Sequence, residues 1–183
     1  MEIKLEQLTG ADSEALFEFE MKNRSFFEER IPSRGDEYYQ RDVFERNHQI
    51  LLKEHSAGDS VFYLIKNGEG SILGRLNLAD IDQTNQSGYL GYRVGQSFVG
   101  HGIASRAVKI LLQSADDINI QQIEAKTTTN NKASQKVLKK NGFKQIEIMD
   151  EEIILNGEQV KFVYYIWRKW NKHNHKNSSG FFD

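Results

Sequence analysis

The stretch GYRVGQSFVGHGIASRA, residues 91–107, decides how this chain is read. Before it, Gly88 to Val94 alternates as a strand does. After Gly102 the period changes, and Ile103, Ala107, Ile110, Leu111 and Ala115 share one side of a helix. Two glycines one residue apart, Gly100 and Gly102, sit at the changeover. Glycine lets backbone N–H groups approach a ligand with no Cβ in the way. A helix start adds four N–H groups without intrahelical acceptors and a partial positive charge. The stretch therefore reads as a place for an anionic ligand.

Which anion is a matter of detail. A dinucleotide fingerprint wants glycine or alanine where Ser105 stands, and Gln96 to Val99 is a long approach for its tight turn. Glu124 falls at about the expected distance downstream, but near the start of its strand. A triphosphate loop needs Lys-Ser or Lys-Thr after its second glycine, and neither is present. A turn that only exploits positive φ stays open. A pyrophosphate bound by backbone donors alone explains most, because it needs no nearby lysine.

Outward from this point the chain reads as one domain, residues 1–170, followed by a polar tail, 171–183. Glu2 to Leu8 is a first strand, and Ala15, Leu16 and Phe19 mark a helix. Arg24 to Gly35 reads as a loop or broken helix. The spacing predicts a polar helix over 36–55, with Tyr39, Val43, Ile50 and Leu51 on its buried side. Strands follow at Ser60–Ile65 and Ser71–Ile81, joined through Lys66 to Gly70, and then at Gly88–Val94. After the helix from Gly102 come a strand at Gln121–Thr128 and a short helix at Asn131–Asn141 closed by Gly142. Two last strands flank Asn156-Gly157, a strong hairpin signal. A meander precedes the helix-crossing part, so a mixed sheet is expected rather than a doubly wound one.

Composition excludes several functions. With 24 basic and 26 acidic residues the chain has no field to bind nucleic-acid phosphates unaided. Cysteine is absent, which removes disulfides, thiolate metal sites and a cysteine nucleophile. No apolar run is long enough to span a bilayer, and MEIKLEQLTG lacks the layout of a signal peptide. The expectation is a cytoplasmic protein without metal, nucleic-acid partner or membrane, and either a monomer or a homodimer. His48 and His55 are expected on the helix over 36–55 as surface or partly packed residues.

Four segments together resemble the GNAT acetyltransferase superfamily, in particular the branch of ribosomal-protein N-terminal acetyltransferases of RimJ/RimL type. They are Leu90 to Val94, Ser97 to Ala104, Asn131-Lys132-Ala133-Ser134 and Lys140-Asn141-Gly142-Phe143. The resemblance runs over about Ser60–Trp167. It implies an α+β fold, a mixed and mostly antiparallel twisted sheet of about seven strands flanked by about four helices. It also implies acetyl-CoA as co-substrate and an amine acceptor, with a ribosomal protein N-terminus first among the candidates. Small amines, or a silent acyl-CoA-binding module, are the alternatives.

The resemblance assigns roles as well. The family's Gln/Arg-x-x-Gly-x-Gly/Ala pattern binds the pyrophosphate; Ser97 departs from its first position, but Val99, Gly100, His101, Gly102, Ile103 and Ala104 keep its backbone donors. Tyr92, Arg93 and Val94 would lie beside the thioester where two strands splay, and Asn131 would reach the pantetheine. Amine acetylation needs a neutral amine, a polarised carbonyl and a proton for the leaving thiolate. Many members donate that proton from a tyrosine four residues before the Gly-Phe pair; here Leu138 occupies the position. The RimL-like serine matches Ser134, whose other role would be helix capping. For the base, the family position falls on Ile153. Glu152 becomes the candidate if a bulge intervenes, Glu151 is next, and a water chain needs neither. Phe26 to Arg30 falls in the acceptor cleft, with Phe26 and Phe27 as core and Glu28 or Glu29 facing a cationic amine.

Overall fold

A computed structural model describes residues 2–169 of the chain; the tail expected from Asn171 lies outside them. Seven strands form one sheet in the order β1-β2-β3-β4-β5-β7-β6. They are β1 (Ile3–Gln7), β2 (Val61–Asn67), β3 (Ile72–Asp82), β4 (Ser87–Val94), β5 (Gln122–Thr128), β6 (Lys144–Leu155) and β7 (Glu158–Arg168). Every neighbouring pair is antiparallel except β4 with β5. The mixed sheet anticipated from the meander is the one observed.

Five helices cover its two faces: α1 (Ser13–Lys22), α2 (Arg24–Glu28), α3 (Arg41–Ala57), α4 (Ile103–Gln113) and α5 (Lys132–Lys140). The one beyond the expected four is α2, little more than a turn, inside the stretch read as a broken helix. Strand alternation sends successive side chains to opposite faces, and two cores result. Leu76, Leu78, Leu90, Ile123, Ala125 and Val163 pack beneath α4 and α5, where Ile103, Ala107 and Leu111 are fully buried. On the other face, Phe62 and Leu64 pack against Leu16, Phe19 and Phe27 of α1 and α2 and Phe44 of α3.

The third helix differs from its expected form. Asp36–Tyr39 is a separate 3-10 turn, and α3 starts at Arg41. Its inward side is Phe44, His48, Leu51 and Leu52, one to two turns apart, while Ile50 is left 51% exposed. His48 is therefore a core residue and not a surface one. It is 1% exposed, and its Nε2 lies 2.8 Å from the Thr9 carbonyl oxygen.

The Asn156-Gly157 hairpin is present, both residues holding positive φ (52° and 77°), as a tight hairpin turn requires. The strand before it is irregular. The β6–β7 register shifts between Gln145 and Glu147 and again between Ile148 and Glu152.

Candidate active site

The parallel ladder between β4 and β5 runs only from Ser87↔Gln122 to Leu90↔Ala125. Beyond it, β4 stays bonded to β3 as far as Val94, and β5 to β7 as far as Thr128. The two strands part while each remains anchored on its outer side. A cavity of about 400 Å³ occupies the opening, lined by Leu90 to Arg93 on one strand and Ala125 to Thr128 on the other. The splayed gap expected around Tyr92 and Arg93 is thus present.

The cavity passes from one face of the sheet to the other, and its two walls differ chemically. On the α5 side stand Tyr92, Asn131, Ser134 and Leu138. Asn131 is the N-cap of α5: its Oδ1 accepts the backbone N–H of Ser134 at 3.1 Å. Capping is therefore the asparagine's work, and the serine hydroxyl is left for another partner. Ser134 Oγ lies 2.9 Å from Tyr92 Oη, where either hydroxyl can donate, and Tyr92 Oη also donates to the Ser134 carbonyl at 3.3 Å. Burial pushes the Tyr92 phenol up to about 12, against the opposing pull of the Ser134 hydrogen bond. It is protonated throughout the physiological range.

Leu138 is fully buried, so no tyrosine works from that position. A phenol does line the cavity, that of Tyr92 on β4. The sequence had placed Tyr92 beside the thioester and given its side chain no role. Its side chain was legible in the alternation, since Leu90, Tyr92 and Val94 all face the core under α4 and α5.

On the other wall stand Arg34, Arg75, Asn77, Arg93, Lys126 and Phe162. Arg75 and Arg93 are register partners on β3 and β4, and both reach Glu20 of α1. Arg75 Nη1 donates to Glu20 Oε1 at 3.2 Å, and Arg93 Nη1 to Oε2 at 2.9 Å. Glu20 is 0% exposed. The Arg93 guanidinium also stacks 4.9 Å from the Phe27 ring centroid. Burial pulls its pKa down to about 10 while Glu20 holds it up, so it remains a cation at neutral pH. Its side chain is tied to α1, which leaves its backbone for any ligand in the gap. Gly91 makes room for the Asn77 side chain across the ladder: a Cβ on it would come within 2.9 Å of Asn77 Oδ1.

Gly100 and Gly102 both have positive φ, 83° and 71°, and a Cβ on either would meet nothing within 4 Å. Backbone conformation, not crowding, is what demands glycine. Gly102 is the N-cap of α4, and the N–H groups of Ile103 and Ala104 belong to the open first turn. The donor run is one residue shorter than expected, because Val99 N–H donates to Gln96 O at 3.3 Å. His101 is exposed, with Nδ1 3.0 Å from Val99 O.

Glu152 does not reach the cavity. A bulge does precede Glu152, but Ile153 and Leu155 take the inward side, and exposed Glu152 pairs across the ladder with Lys161. The side chain of Glu151 lies outside those described. Glu28 accepts from Arg24 and Ser33, and Glu29 pairs with Arg30. Among the described residues no group of three or more histidine, aspartate or glutamate side chains could hold a metal. Nor is any described helix long and apolar enough to cross a membrane.

The acetyltransferase (GNAT) domain family matches residues 2–144. The chain belongs to that family. Its curated relatives include one named probable N-acetyltransferase YjcK, from Bacillus subtilis, 27% identical over 161 residues, 85% of this chain and 87% of the relative. Two solved structures share the fold. RimL, a ribosomal L7/L12 alpha-N-protein acetyltransferase in complex with coenzyme A, has a TM-score of 0.81 at 23% identity, covering 91% of this chain and 93% of that one. The ribosomal-protein-S5-alanine acetyltransferase of Vibrio fischeri has a TM-score of 0.83 at 19% identity, covering 92% and 93%. Membership sets the dinucleotide reading of Gly100 and Gly102 aside. This GNAT protein has a pair of hydroxyls on one wall of the gap between its parted strands and a row of cations on the other.

Proposed function

We propose that this GNAT protein is an acetyl-CoA-dependent N-acetyltransferase acting on a primary amine, foremost the N-terminal amine of a protein. Transfer is direct, within a ternary complex. The observation that carries the reading is the Tyr92–Ser134 hydroxyl pair on one wall of a gap whose opposite wall is cationic. The ribosomal-protein acetyltransferases among its structural neighbours support the choice of acceptor.

The residues present suit the co-substrate. The backbone N–H groups of Gly100 to Ala104 would hold its pyrophosphate, and the unladdered edges of Gly91–Val94 and Lys126–Thr128 would pair with the amides of its pantetheine arm. Once bound, acetyl-CoA supplies an acyl group already activated as a thioester. Ser134 holds a proton for the departing sulfur, and Tyr92, neutral and hydrogen-bonded behind it, keeps that hydroxyl oriented and resupplied. The amine must enter without its proton, and the cationic wall works in that direction, because nearby positive charge disfavours an ammonium ion. Among the described residues no carboxylate lines the cavity, so the amine's proton leaves through the mouth to solvent, and solvent returns one to the Tyr92–Ser134 pair.

Acetyl-CoA binding by calorimetry, followed by free-CoA release over a panel of amines and ribosomal-protein N-terminal peptides, tests the reading. Products are identified by mass spectrometry. Ser134→Ala is expected to lower turnover by about 10²–10⁴-fold with acetyl-CoA affinity and melting temperature unchanged. Tight binding without release on any acceptor would make the protein a silent acyl-CoA-binding module. Joint collapse of affinity and stability in Ser134→Ala would make the serine a structural residue.

A further inference from the structure

Among the described residues five cationic side chains line the cavity, Arg30, Arg34, Arg75, Arg93 and Lys126, and no aspartate or glutamate does. Two carboxylates reach this set from outside the lining. Glu20 serves Arg75 and Arg93 together, and Glu29 pairs with Arg30. The wall therefore carries a surplus of three positive charges in a protein whose net charge is −2. The contacts made by Arg34 and Lys126 are aromatic: Arg34 lies 4.6 Å from the Tyr38 ring centroid and hydrogen-bonds its hydroxyl, and Lys126 lies 4.9 Å from that of Phe162. Stacking orients a cation and leaves its charge available.

The surplus lies on one side. Ala125 belongs to the core under α4 and α5, so Lys126 projects to the opposite face. Phe162 pairs with Thr128, two residues along β5, and so shares that face. Arg75 and Arg93 point the same way, toward Glu20 of α1. The neutral hydroxyls of Tyr92 and Ser134 are across the sheet. Past Arg34, Arg75 and Asn77, the cavity adjoins a second one of about 300 Å³ beneath α3, walled by Leu16, Phe44, Leu51 and Phe62.

Charge of one sign concentrated in a cleft with low-dielectric walls selects ligands of the other sign. A polyamine brought here would face three uncompensated cations. An amine that also bears an oxyanion would place it between Arg34 and Lys126, with apolar atoms continuing under α3. We infer that the acceptor carries a carboxylate or phosphate a few bonds from its nucleophilic nitrogen. This rests on the acetyltransferase reading above and narrows its substrate: an acidic peptide N-terminus or a compact amino acid fits, a polyamine or aminoglycoside does not.

The test uses the full chain loaded with coenzyme A and matched ligands differing only in the anion. The ligands are a tripeptide Ala-Asp-Leu and its Ala-Asn-Leu-amide counterpart, leucine and leucinamide, aminoethyl phosphate and ethanolamine, and spermidine. Calorimetry reads affinity, and free-CoA release reads kcat/KM wherever turnover occurs. Each anionic ligand is expected to bind at least 10-fold tighter than its neutral counterpart, and spermidine most weakly. Which pair shows the largest ratio distinguishes a peptide from an amino acid or a phosphate. Arg34→Gln, at an exposed position, is expected to remove most of that ratio while acetyl-CoA affinity holds, and Arg34→Glu to invert it. Equal affinity within every pair, or a ratio untouched by both Arg34→Gln and Lys126→Gln, overturns the inference even with the acetyltransferase reading intact. Loss of acetyl-CoA binding itself sinks the earlier reading instead.

Discussion

Burial decides what Tyr92 does at neutral pH. A phenol at 10 in the unfolded chain and at about 12 in the folded one keeps its proton wherever the enzyme works. The same shift ties stability to pH. Below pH 10 both states are protonated and the folded state loses nothing. Between 10 and 12 the unfolded chain releases its proton while the folded one holds it, so stability falls by on the order of 3 kcal/mol as pH rises through that window. Urea unfolding from pH 9 to pH 12 is therefore expected to fall more steeply for the wild type than for Tyr92→Phe; parallel curves would place the phenol at an ordinary pKa. Ser134 and Asn131 were legible in the sequence as a pair at fixed spacing at the start of a helix. Their division of labour was not, because either can cap, and only the fold brings a tyrosine 42 residues away to the serine hydroxyl.

At the scale of elements, the strand–glycine–helix unit was readable because hydrophobic period changes there from two to 3.6 within a few residues. Arg24 to Gly35 offered no such period. It is held by charge and rings, Arg24 over Tyr39 at 4.3 Å and Arg30 over Phe26 at 3.8 Å, together with the Arg24–Glu28 ion pair at 3.1 Å. Contacts of that kind leave no periodic trace. Bulged β6 was equally opaque, since register lies in pairing with β7 and not in β6 alone. Glu20 is the hidden fastening of this layer: one carboxylate ties α1 to β3 and β4 by pairing with two guanidinium groups brought side by side. Glu20→Gln leaves both cations buried against each other and is expected to destabilise the fold by about 3–5 kcal/mol, read as a lower urea midpoint at unchanged slope. A loss below about 1 kcal/mol would show that solvent, not Glu20, screens Arg75 and Arg93.

At the scale of the whole molecule, the proposed function puts its two substrates on opposite faces of one sheet. The first turn of α4 and the Tyr92–Ser134 pair belong to one face, and the cations and the apolar recess beneath α3 to the other; the two meet only where β4 and β5 part. That arrangement favours both substrates bound at once over successive visits to one pocket. Covalent relay would require a nucleophile in the gap. The chain has no cysteine, and among the described residues the Ser134 hydroxyl has no histidine or carboxylate hydrogen-bonded to it that could draw off its proton. Initial rates with acetyl-CoA and acceptor varied together are expected to give intersecting double-reciprocal lines, and labelled CoA is not expected to exchange into acetyl-CoA without acceptor. Parallel lines accompanied by that exchange would require an acylated residue, with Ser134 the first to examine by mass spectrometry. Intersection without exchange would leave Ser134 as a proton donor, and the opening between two strands as the place where the acyl group crosses the sheet.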